Sequence, residues 1–449
     1  MRRQSALNGI SYPPANEAGM PRNPLDARNP LAGLYVATML FELAEGALRF
    51  LVPINLDARG LGPLAIGFVI FAFSSTSLFA RGAAGALFRP ARASRLIIGA
   101  GIASTCAYLL TPFVTDVRAF AVLMAFDGFG WGMATTCLLA MVMLCTPSSI
   151  SPAVAMGWYI GFQGIAMALA TTLGGVLAQA VGIQPAMLIL ATLPVLAAIL
   201  ISVRLPPVVR DLGDPTIAFA DPELAGLGRR AGRSGPHRAL VAAIQRVGLL
   251  PVAVWAAALV AVYLNVMNGL LQSFFPLIGL AVGLSVAQIG TLSSVRSAIS
   301  AIARFGAGWL FARVPAQRVH LPLLTMSAVT LALLPSAGTY LLHLPLFALN
   351  GVSRGLLRVT TSAAAMEETP GHQAGMAAAV MTAGLDVGKM LGPLIGGLVA
   401  AVIGLEAMFR LVPFVFLVLY VLLDRGAFRR RPTVIVGVGS PDRSISEEA

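Results

Sequence analysis

Three ionisable residues share one face of the first long apolar segment. Glu42, Glu45 and Arg49 are separated by three and four positions, the spacing that brings side chains together on a helix. An ionised side chain at mid-bilayer costs roughly 2.5–3.5 kcal/mol on insertion scales, so each residue is a functional candidate. Burial favours the neutral form of a carboxyl group, which lets it carry a proton. We predict proton coupling at Glu42 first and at Glu45 second.

Other apolar segments contain further polar and ionisable residues. Asp127 and Asp386 complete the predicted proton-coupling set. The predicted substrate cavity comprises Arg49, Asn265, Asn268, Gln272, Arg296, Arg354, Arg358 and Lys389. Arginine forks match carboxylate and phosphate groups, which favours an anionic or zwitterionic solute over a lipophilic cation. Two pairs, Glu45–Arg49 and Asp386–Lys389, could instead be structural ion pairs within one helix.

The elements that position these residues must be membrane helices. Of the 449 residues, 57% are hydrophobic and 11% are charged, whereas a soluble domain carries roughly 25% charged residues. This composition excludes a soluble enzyme, a disordered chain and a disulfide scaffold. Cys106, Cys137 and Cys145 all fall within apolar segments and are predicted to be packing residues. We predict no metal site and no cofactor.

Twelve apolar segments are long enough to cross a bilayer, since a spanning helix needs about 20 residues. They begin near residues 32, 63, 96, 119, 151, 183, 250, 286, 320, 344, 373 and 405. We predict an all-α membrane protein with two pseudo-symmetric six-helix bundles, residues 31–204 and 249–424. A disordered N-terminal tail (1–30), a central loop (205–248) and a disordered basic C-terminal tail (425–449) complete the chain.

The net charge of +12 indicates the topology. Arginines concentrate in both tails, the central loop and alternate short loops, the positive-inside pattern that places both termini and the central loop in the cytoplasm. This distribution is typical of a protein embedded in a lipid bilayer and argues against binding of nucleic acid. Residues 1–30 lack the apolar core of a cleaved signal peptide. Lys389 is the only lysine, and this bias towards arginine favours a bacterial inner membrane.

An internal repeat relates the two halves at a constant shift of 223 residues. Gly46, Pro53 and Gly128 match Gly269, Pro276 and Gly351 at this shift. The same shift places Asn265, Asn268 and Gln272 on the seventh segment where the first has Glu42, Glu45 and Arg49. A stripe that is polar in both halves predicts a water-filled cavity between them, acidic on one wall and amide on the other. Parallel repeats of this kind form one class of transporter.

Three motifs then resemble those of the major facilitator superfamily. The first runs from Arg81 and Gly85 through Arg89 to Arg92, with an echo at Arg304, Gly308 and Arg313. The second is Asp127-Gly-Phe-Gly-Trp-Gly132, and the third contains Gly388, Gly392, Pro393, Gly396 and Gly397. The chain resembles this superfamily over roughly residues 30–425, in a branch of drug or metabolite exporters. The resemblance implies alternating access, a gate at the first motif and helix packing or a hinge at the third.

The sequence departs from the family pattern in the first motif and in the motifs typical of drug/proton antiporters. Arg89 stands where the family motif has an aspartate that holds one gate shut, so the gate must be built differently. Met124 stands where drug/proton antiporters usually carry an arginine, and the complete glycine–proline motif lies in segment eleven instead of segment five. No Gly-rich phosphate loop occurs, so transport must draw on protons or another coupling ion.

We therefore expect a monomeric secondary transporter of a small molecule, not an enzyme. Class frequency favours a proton-coupled exporter of a drug-like or secondary metabolite. Uptake of a small organic anion or nutrient is the alternative. A non-transporting sensor or assembly factor with the same fold remains open, because the gate motif is degenerate.

Overall fold

The computed structural model describes residues 30–146, 150–211, 250–311, 313–314, 316–367 and 374–428. These residues form twelve long helices, the sixth in two pieces, and no strand. Their bounds are α1 (Pro30–Asp57), α2 (Pro63–Leu87), α3 (Pro90–Leu110), α4 (Val117–Leu144), α5 (Pro152–Val181), α6a (Ile183–Leu190), α6b (Thr192–Asp211), α7 (Val252–Ala281), α8 (Val286–Phe311), α9 (Ala316–Leu333), α10 (Tyr340–Glu367), α11 (Ala374–Ile403) and α12 (Leu405–Phe428). The predicted all-α, twelve-helix fold is confirmed.

Local sequence explains where several helices begin. Pro63, Pro90 and Pro152 occupy the first turn of α2, α3 and α5, where a missing N–H group costs nothing. Asp116 caps α4 by accepting hydrogen bonds from the backbone N–H groups of residues 118 and 119, at 3.1 and 3.3 Å. The predicted tails and central loop lie largely outside the described residues, although α6b extends to Asp211.

Ten of the helices in the described residues are long and apolar enough to cross a membrane, so this is an integral multi-pass membrane protein. The remaining two, α8 and α10, are the helices with Arg296, Arg304, Arg354 and Arg358. Large apolar side chains cover the outside of the bundle; Phe305 and Phe113, for example, are 88% and 82% exposed. This surface fits a lipid bilayer, where apolar groups need no cover.

The backbone repeats between halves. α1 and α7 each contain one internal proline, Pro53 and Pro276. Each is followed by a turn with a glycine at positive φ, +79° at Gly60 and +83° at Gly283. Both glycines adopt a left-handed conformation that other residues rarely tolerate. These paired features match the shift of 223 residues found in the sequence.

The halves meet closely at two crossings, α2 with α11 and α5 with α8. A Cβ atom added at Gly67 would lie 2.3 Å from the carbonyl oxygen of Pro393, and one added at Gly290 would lie 2.2 Å from that of Thr171. Only glycine permits backbones to approach this closely. The two contacts are related by the pseudo-symmetry, and both lie towards the side of the bundle where α2 and α8 begin. We call this the distal side, and the side where α1 begins and α12 ends the terminal side.

The third motif packs α11 against two neighbours. Gly384, Gly388, Gly392 and Gly396 contact α7 at positions 258, 262, 266 and 270, a constant separation along both helices. Pro393 and Gly397 contact α2 at Gly67, on the other face of α11. The glycine motif thus holds α11 against its own half and against the opposite half.

Four glycines near the terminal side lie in open space. A Cβ atom added at Gly82, Gly85, Gly306 or Gly308 would meet nothing within 4 Å. These four glycines lie in the terminal-side parts of α2 and α8, the helices that touch the opposite half at the distal side. The close glycine contacts of α2 and α8 with the opposite half therefore lie on the distal side.

The close contact at Gly67 predicts a position-specific effect of adding one methyl group. We expect Gly67→Ala to destabilise the fold by about 1–3 kcal/mol, the usual cost of overpacking, because the obstructing atom belongs to the backbone of α11. The midpoint of thermal unfolding in detergent measures this loss. Gly82→Ala, on the same helix but in open space, is the matched control. Equal midpoints for the two variants would contradict the contact.

Candidate functional site

The two glutamates in the polar stripe of α1 are buried. Glu42 and Glu45 are 5% and 4% exposed. The Nε atom of Arg49 lies 3.4 Å from Oε1 of Glu45, one turn away. Oε1 of Glu42 accepts a hydrogen bond of 2.9 Å from the side-chain amide of Gln163 on α5. Arg49 is therefore bound to Glu45, while Glu42 is held by a neutral donor.

A carboxyl pair joins α1 to α4. The carboxyl groups of Glu45 and Asp127 lie beside each other, and Asp127 is 1% exposed. The hydroxyl of Tyr108 on α3 donates to Oδ2 of Asp127 at 2.7 Å. Ionised carboxylates only accept hydrogen bonds, so two neighbouring carboxyl groups can share a hydrogen bond only when one of them holds a proton. The Glu45–Asp127 pair is therefore a candidate proton-binding group with Tyr108 on one side and Arg49 on the other.

A basic and aromatic cluster lies beside this pair. The guanidinium carbon of Arg81 and the Nζ atom of Lys389 lie 5.2 and 5.4 Å from the ring centroid of Trp131. The guanidinium of Arg49 lies 4.9 Å from the centroid of Phe73. Cations at these distances are attracted to the faces of aromatic rings. Lys389 comes from α11, so the cluster combines both halves.

One ion pair crosses between the halves at the terminal side of the cluster. Nη1 of Arg81 on α2 lies 2.7 Å from Oδ1 of Asp386 on α11. The sequence suggested a pair between Asp386 and Lys389 within α11. Among the ion pairs of the described residues, however, Asp386 binds Arg81, and Lys389 instead lies over Trp131. An ion pair between α2 and α11 here can serve as a gate contact that does not need an aspartate at position 89.

Two cavities lie between the halves and share Arg49 and Phe73 in their walls. The larger is lined by Arg49, Val52, Ile70, Phe73, Met124, Gly269, Gln272 and Ser273. The smaller is lined by Arg49, Phe73, Ser74, Ser77, Leu78, Arg81, Trp131, Asp386 and Lys389. Arg49, Arg81 and Lys389 therefore present their charges to narrow spaces between the halves.

The amide stripe of α7 is only partly turned towards this space. Gln272 lines the larger cavity. Nδ2 of Asn265 donates to the backbone carbonyl of Leu385 on α11 at 2.8 Å, so Asn265 joins α7 to α11 instead of facing Glu42. Oδ1 of Asn268 accepts a hydrogen bond of 2.6 Å from Nη2 of Arg296 on α8.

The remaining predicted site residues lie away from the cavities. Arg354 on α10 is half-buried, whereas Arg304 and Arg358 are exposed at the terminal side. Gly85, Arg89, Arg92, Gly308 and Arg313 are also exposed, and Arg313 stacks on Trp309 with a guanidinium-to-centroid distance of 4.2 Å. Of the first motif, only Arg81 reaches the cavity.

Sequence reasoning did not select Tyr108, Gln163, Phe73 or Trp131. Neutral polar and aromatic residues are common in membrane helices, and no local signal separates these four from packing residues. Their proximity to Glu42, Asp127 and the three cations requires contacts between helices that are distant in sequence.

A sequence model of the Major Facilitator Superfamily matches residues 34–281 and 257–442. This chain belongs to the Major Facilitator Superfamily. The resemblance predicted from the repeat and the motifs is thereby confirmed. A search of curated proteins gives no significant match.

Solved structures of other transporters are similar over nearly the whole chain. The nucleoside transporter NupG has a TM-score of 0.68 at 13% identity, covering 90% of this chain and 100% of that chain. A bacterial homolog of the human lysosomal transporter Spinster, in an inward-facing and unoccupied conformation, gives 0.68 at 15%, covering 90% and 98%. The peptide transporter POT gives 0.63 at 13%, covering 89% and 94%. At these identities the likeness shows the fold alone.

Membership in the Major Facilitator Superfamily bears on the two cavities between the halves. Members of this family are in general transporters and not enzymes. In a fold of two parallel repeats, substrate sites lie near the bilayer midplane between the repeats. Arg49, Lys389 and Trp131 occupy that region here.

The Arg81–Asp386 pair yields a charge-exchange prediction for this superfamily member. Asp386→Asn and Arg81→Gln should each release the link between α2 and α11 and raise the rate at which a membrane-impermeant thiol reagent labels a cysteine at position 77, in a background lacking the native cysteines. We expect a several-fold increase for each. The double variant Arg81→Asp/Asp386→Arg should return the rate towards that of the parent. A double variant that is labelled as fast as the single variants, or faster, would show that the pair is not a link.

Proposed function

We propose that this chain is a proton-coupled secondary transporter that moves a small organic anion across a bacterial inner membrane by alternating access. The observation that carries the proposal is the position of Arg49: it forms a wall of both inter-half cavities and binds Glu45, whose carboxyl group lies beside that of Asp127. Arg49 thus lies between the two cavities and the Glu45–Asp127 pair, which we propose binds the proton. We propose that the transporter acts as a monomer.

The orientation follows from the loops. Arg89, Arg92, Arg313 and Arg318 lie on the terminal side, whereas Arg59, Arg118 and Arg410 are the arginines of the distal side. The positive-inside rule then assigns the terminal side to the cytoplasm. In this orientation, the close glycine contacts at Gly67 and Gly290 lie on the outer side of the bundle.

Competition for Arg49 couples proton and solute. When Glu45 is ionised, it neutralises Arg49 and weakens the attraction of Arg49 for an anion. When Glu45 takes a proton, Arg49 is released and a carboxylate or phosphate in the cavity can replace Glu45 as its partner. Proton and anion therefore bind best together, which favours symport and so uptake down the proton gradient. Export, predicted from class frequency, would require them to compete.

Accumulation in proteoliposomes distinguishes these directions, whatever the orientation of the protein in the vesicle. Labelled succinate and glycerol 3-phosphate serve as probes, and protein-free liposomes correct for passive entry. Symport predicts accumulation when the lumen is alkaline, and antiport predicts it when the lumen is acidic. A protonophore should abolish either. Absence of protein-dependent entry under both gradients, despite probe binding, would favour a sensor over a transporter.

The carboxyl pair predicts a specific uncoupling variant. Glu45→Gln removes the titrating partner of Arg49, so we expect counterflow exchange of the bound probe to remain while gradient-driven accumulation falls at least ten-fold. Asp127→Asn should act in the same direction. Glu42→Gln, at a carboxyl group held by Gln163, should retain more coupling than either. Glu406→Gln is the control, because Glu406 is exposed and pairs only with Arg410 among described ion pairs. Wild-type accumulation by Glu45→Gln would overturn this assignment.

A further inference from the structure

The wall of the smaller cavity contains more positive than negative charge. It includes Arg49, Arg81 and Lys389 but a single acid, Asp386. Arg81 binds this acid in the ion pair of 2.7 Å between the halves, and Arg49 binds Glu45. Lys389 is thus the cation of this wall that has no acid within ion-pair distance among the described residues. A charge in the membrane without a counter-charge is costly, and an anion bound in the cavity would reduce that cost.

The ammonium group of Lys389 lies over an aromatic ring. Its Nζ atom is 5.4 Å from the ring centroid of Trp131, and it donates to no acceptor among the residues that the structure describes. Lys389 also experiences the charge of Glu42, but the Glu42 carboxyl group accepts its hydrogen bond from Gln163. The N–H groups of the ammonium are therefore available to an acceptor inside the cavity.

Two further donors in the same wall are buried without a partner. Trp131 and Ser74 are 7% and 8% exposed, so both are more than nine-tenths buried. Nε1 of Trp131 and Oγ of Ser74 form no hydrogen bond within the described part of the chain. A buried donor without an acceptor costs free energy, and a buried tryptophan N–H usually has one. Donor side chains from α2, α4 and α11 therefore line one narrow space and lack an acceptor.

We infer that Lys389, Trp131 and Ser74 form a subsite for a carboxylate group, so that the substrate class is a monocarboxylate. A carboxylate has one negative charge, which matches the one cation of this wall without an acid, and its two oxygens can accept several hydrogen bonds. A phosphate monoester carries about 1.5 to 2 negative charges at neutral pH and is bulkier. Naming the bound carboxylate as substrate rests on the proposed function, in which Arg49 of the same wall connects the solute to the proton. The subsite itself does not depend on transport.

The larger cavity indicates what the carboxylate is attached to. The two cavities share Phe73 in their walls. Beyond Phe73 the larger cavity presents the apolar side chains of Val52, Ile70 and Met124. Apolar surface removed from water favours binding of an apolar group. A carboxylate at Lys389 would extend past Phe73 into these surroundings, so the class narrows to monocarboxylates with a short apolar chain.

Binding to the purified full-length protein in neutral detergent tests the subsite without a gradient. The probes are 2-oxopentanoate, its shorter homologue pyruvate and glycerol 3-phosphate, at an ionic strength kept constant with chloride. The readout is thermal stabilisation over a concentration series. We expect 2-oxopentanoate to bind more tightly than pyruvate, because of its longer apolar chain, and more tightly than glycerol 3-phosphate. Lys389→Gln, Trp131→Phe and Ser74→Ala should each weaken 2-oxopentanoate by about ten-fold or more, as expected for a lost hydrogen bond to a charged group.

Matched variants separate binding from folding. Trp158→Phe removes an indole N–H on α5, and Ser75→Ala removes a hydroxyl that donates to the carbonyl of Ala72 within α2 at 3.0 Å. Neither residue is among those lining the two cavities, so both variants should bind 2-oxopentanoate as the parent does. The unfolding midpoint without probe reports the fold of every variant. Ser74→Ala is the smallest of the changes and tests the subsite even if Trp131→Phe fails to fold.

The outcomes distinguish the subsite from the transport proposal. Absence of 2-oxopentanoate binding to the parent, or equal binding by Ser74→Ala and Ser75→Ala, would overturn the subsite. Tighter binding of glycerol 3-phosphate would overturn the carboxylate class. Binding of 2-oxopentanoate that needs Lys389, together with no protein-dependent uptake of it under either pH gradient, would support the subsite and reject transport. Uptake of succinate by a chain that does not bind 2-oxopentanoate would support transport and overturn the subsite.

Discussion

Charge in the membrane must be neutralised, and the residues that achieve this determine what the bundle can do. In the N-terminal half every buried acid has a polar partner: Glu45 has Arg49 and Glu42 has the amide of Gln163. Asp127 receives the hydroxyl of Tyr108. These partners come from different helices, so the charges also fix how α1, α3, α4 and α5 pack. A change in protonation or ligand therefore changes the contacts that hold the half together.

The two halves share a backbone plan but differ in their charges. Paired prolines, turn glycines and the glycine contacts at Gly67 and Gly290 recur by pseudo-symmetry. Small residues set how closely the halves can approach, since helix association in lipid depends on close packing more than on hydrophobic gain. On this common frame the first half has acids next to Arg49, and the second has arginines without acids on α7 to α9. The backbone features therefore repeat between the halves, whereas the charged residues of the polar stripe differ.

The sequence alone was sufficient to predict features that leave a mark on composition or on the spacing of residue types. Twelve spans, the repeat and the packing glycines of α11 all leave a local pattern, and the helices begin within six residues of the predicted positions. Helical spacing also predicted the Glu45–Arg49 pair. It could not predict that Asp386 binds Arg81, because three residues separate Asp386 from Lys389 whereas 305 separate it from Arg81. It equally missed that Asn265 binds the carbonyl of Leu385, because a stripe identifies a polar face without identifying its neighbour.

Arg81 illustrates how a degenerate motif can retain a structural role. The motif lacks its aspartate at position 89, yet the arginine at its start remains and binds an acid of the opposite half. The link has moved from a loop to the terminal-side boundary of the cavity, where Trp131 and Lys389 adjoin it. There, an anion entering beside Lys389 would compete with Asp386 for Arg81, as we propose that it competes with Glu45 for Arg49. The two arginines share one arrangement: each has a single acidic partner among the described ion pairs, and replacing Asp386 would release a contact between the halves.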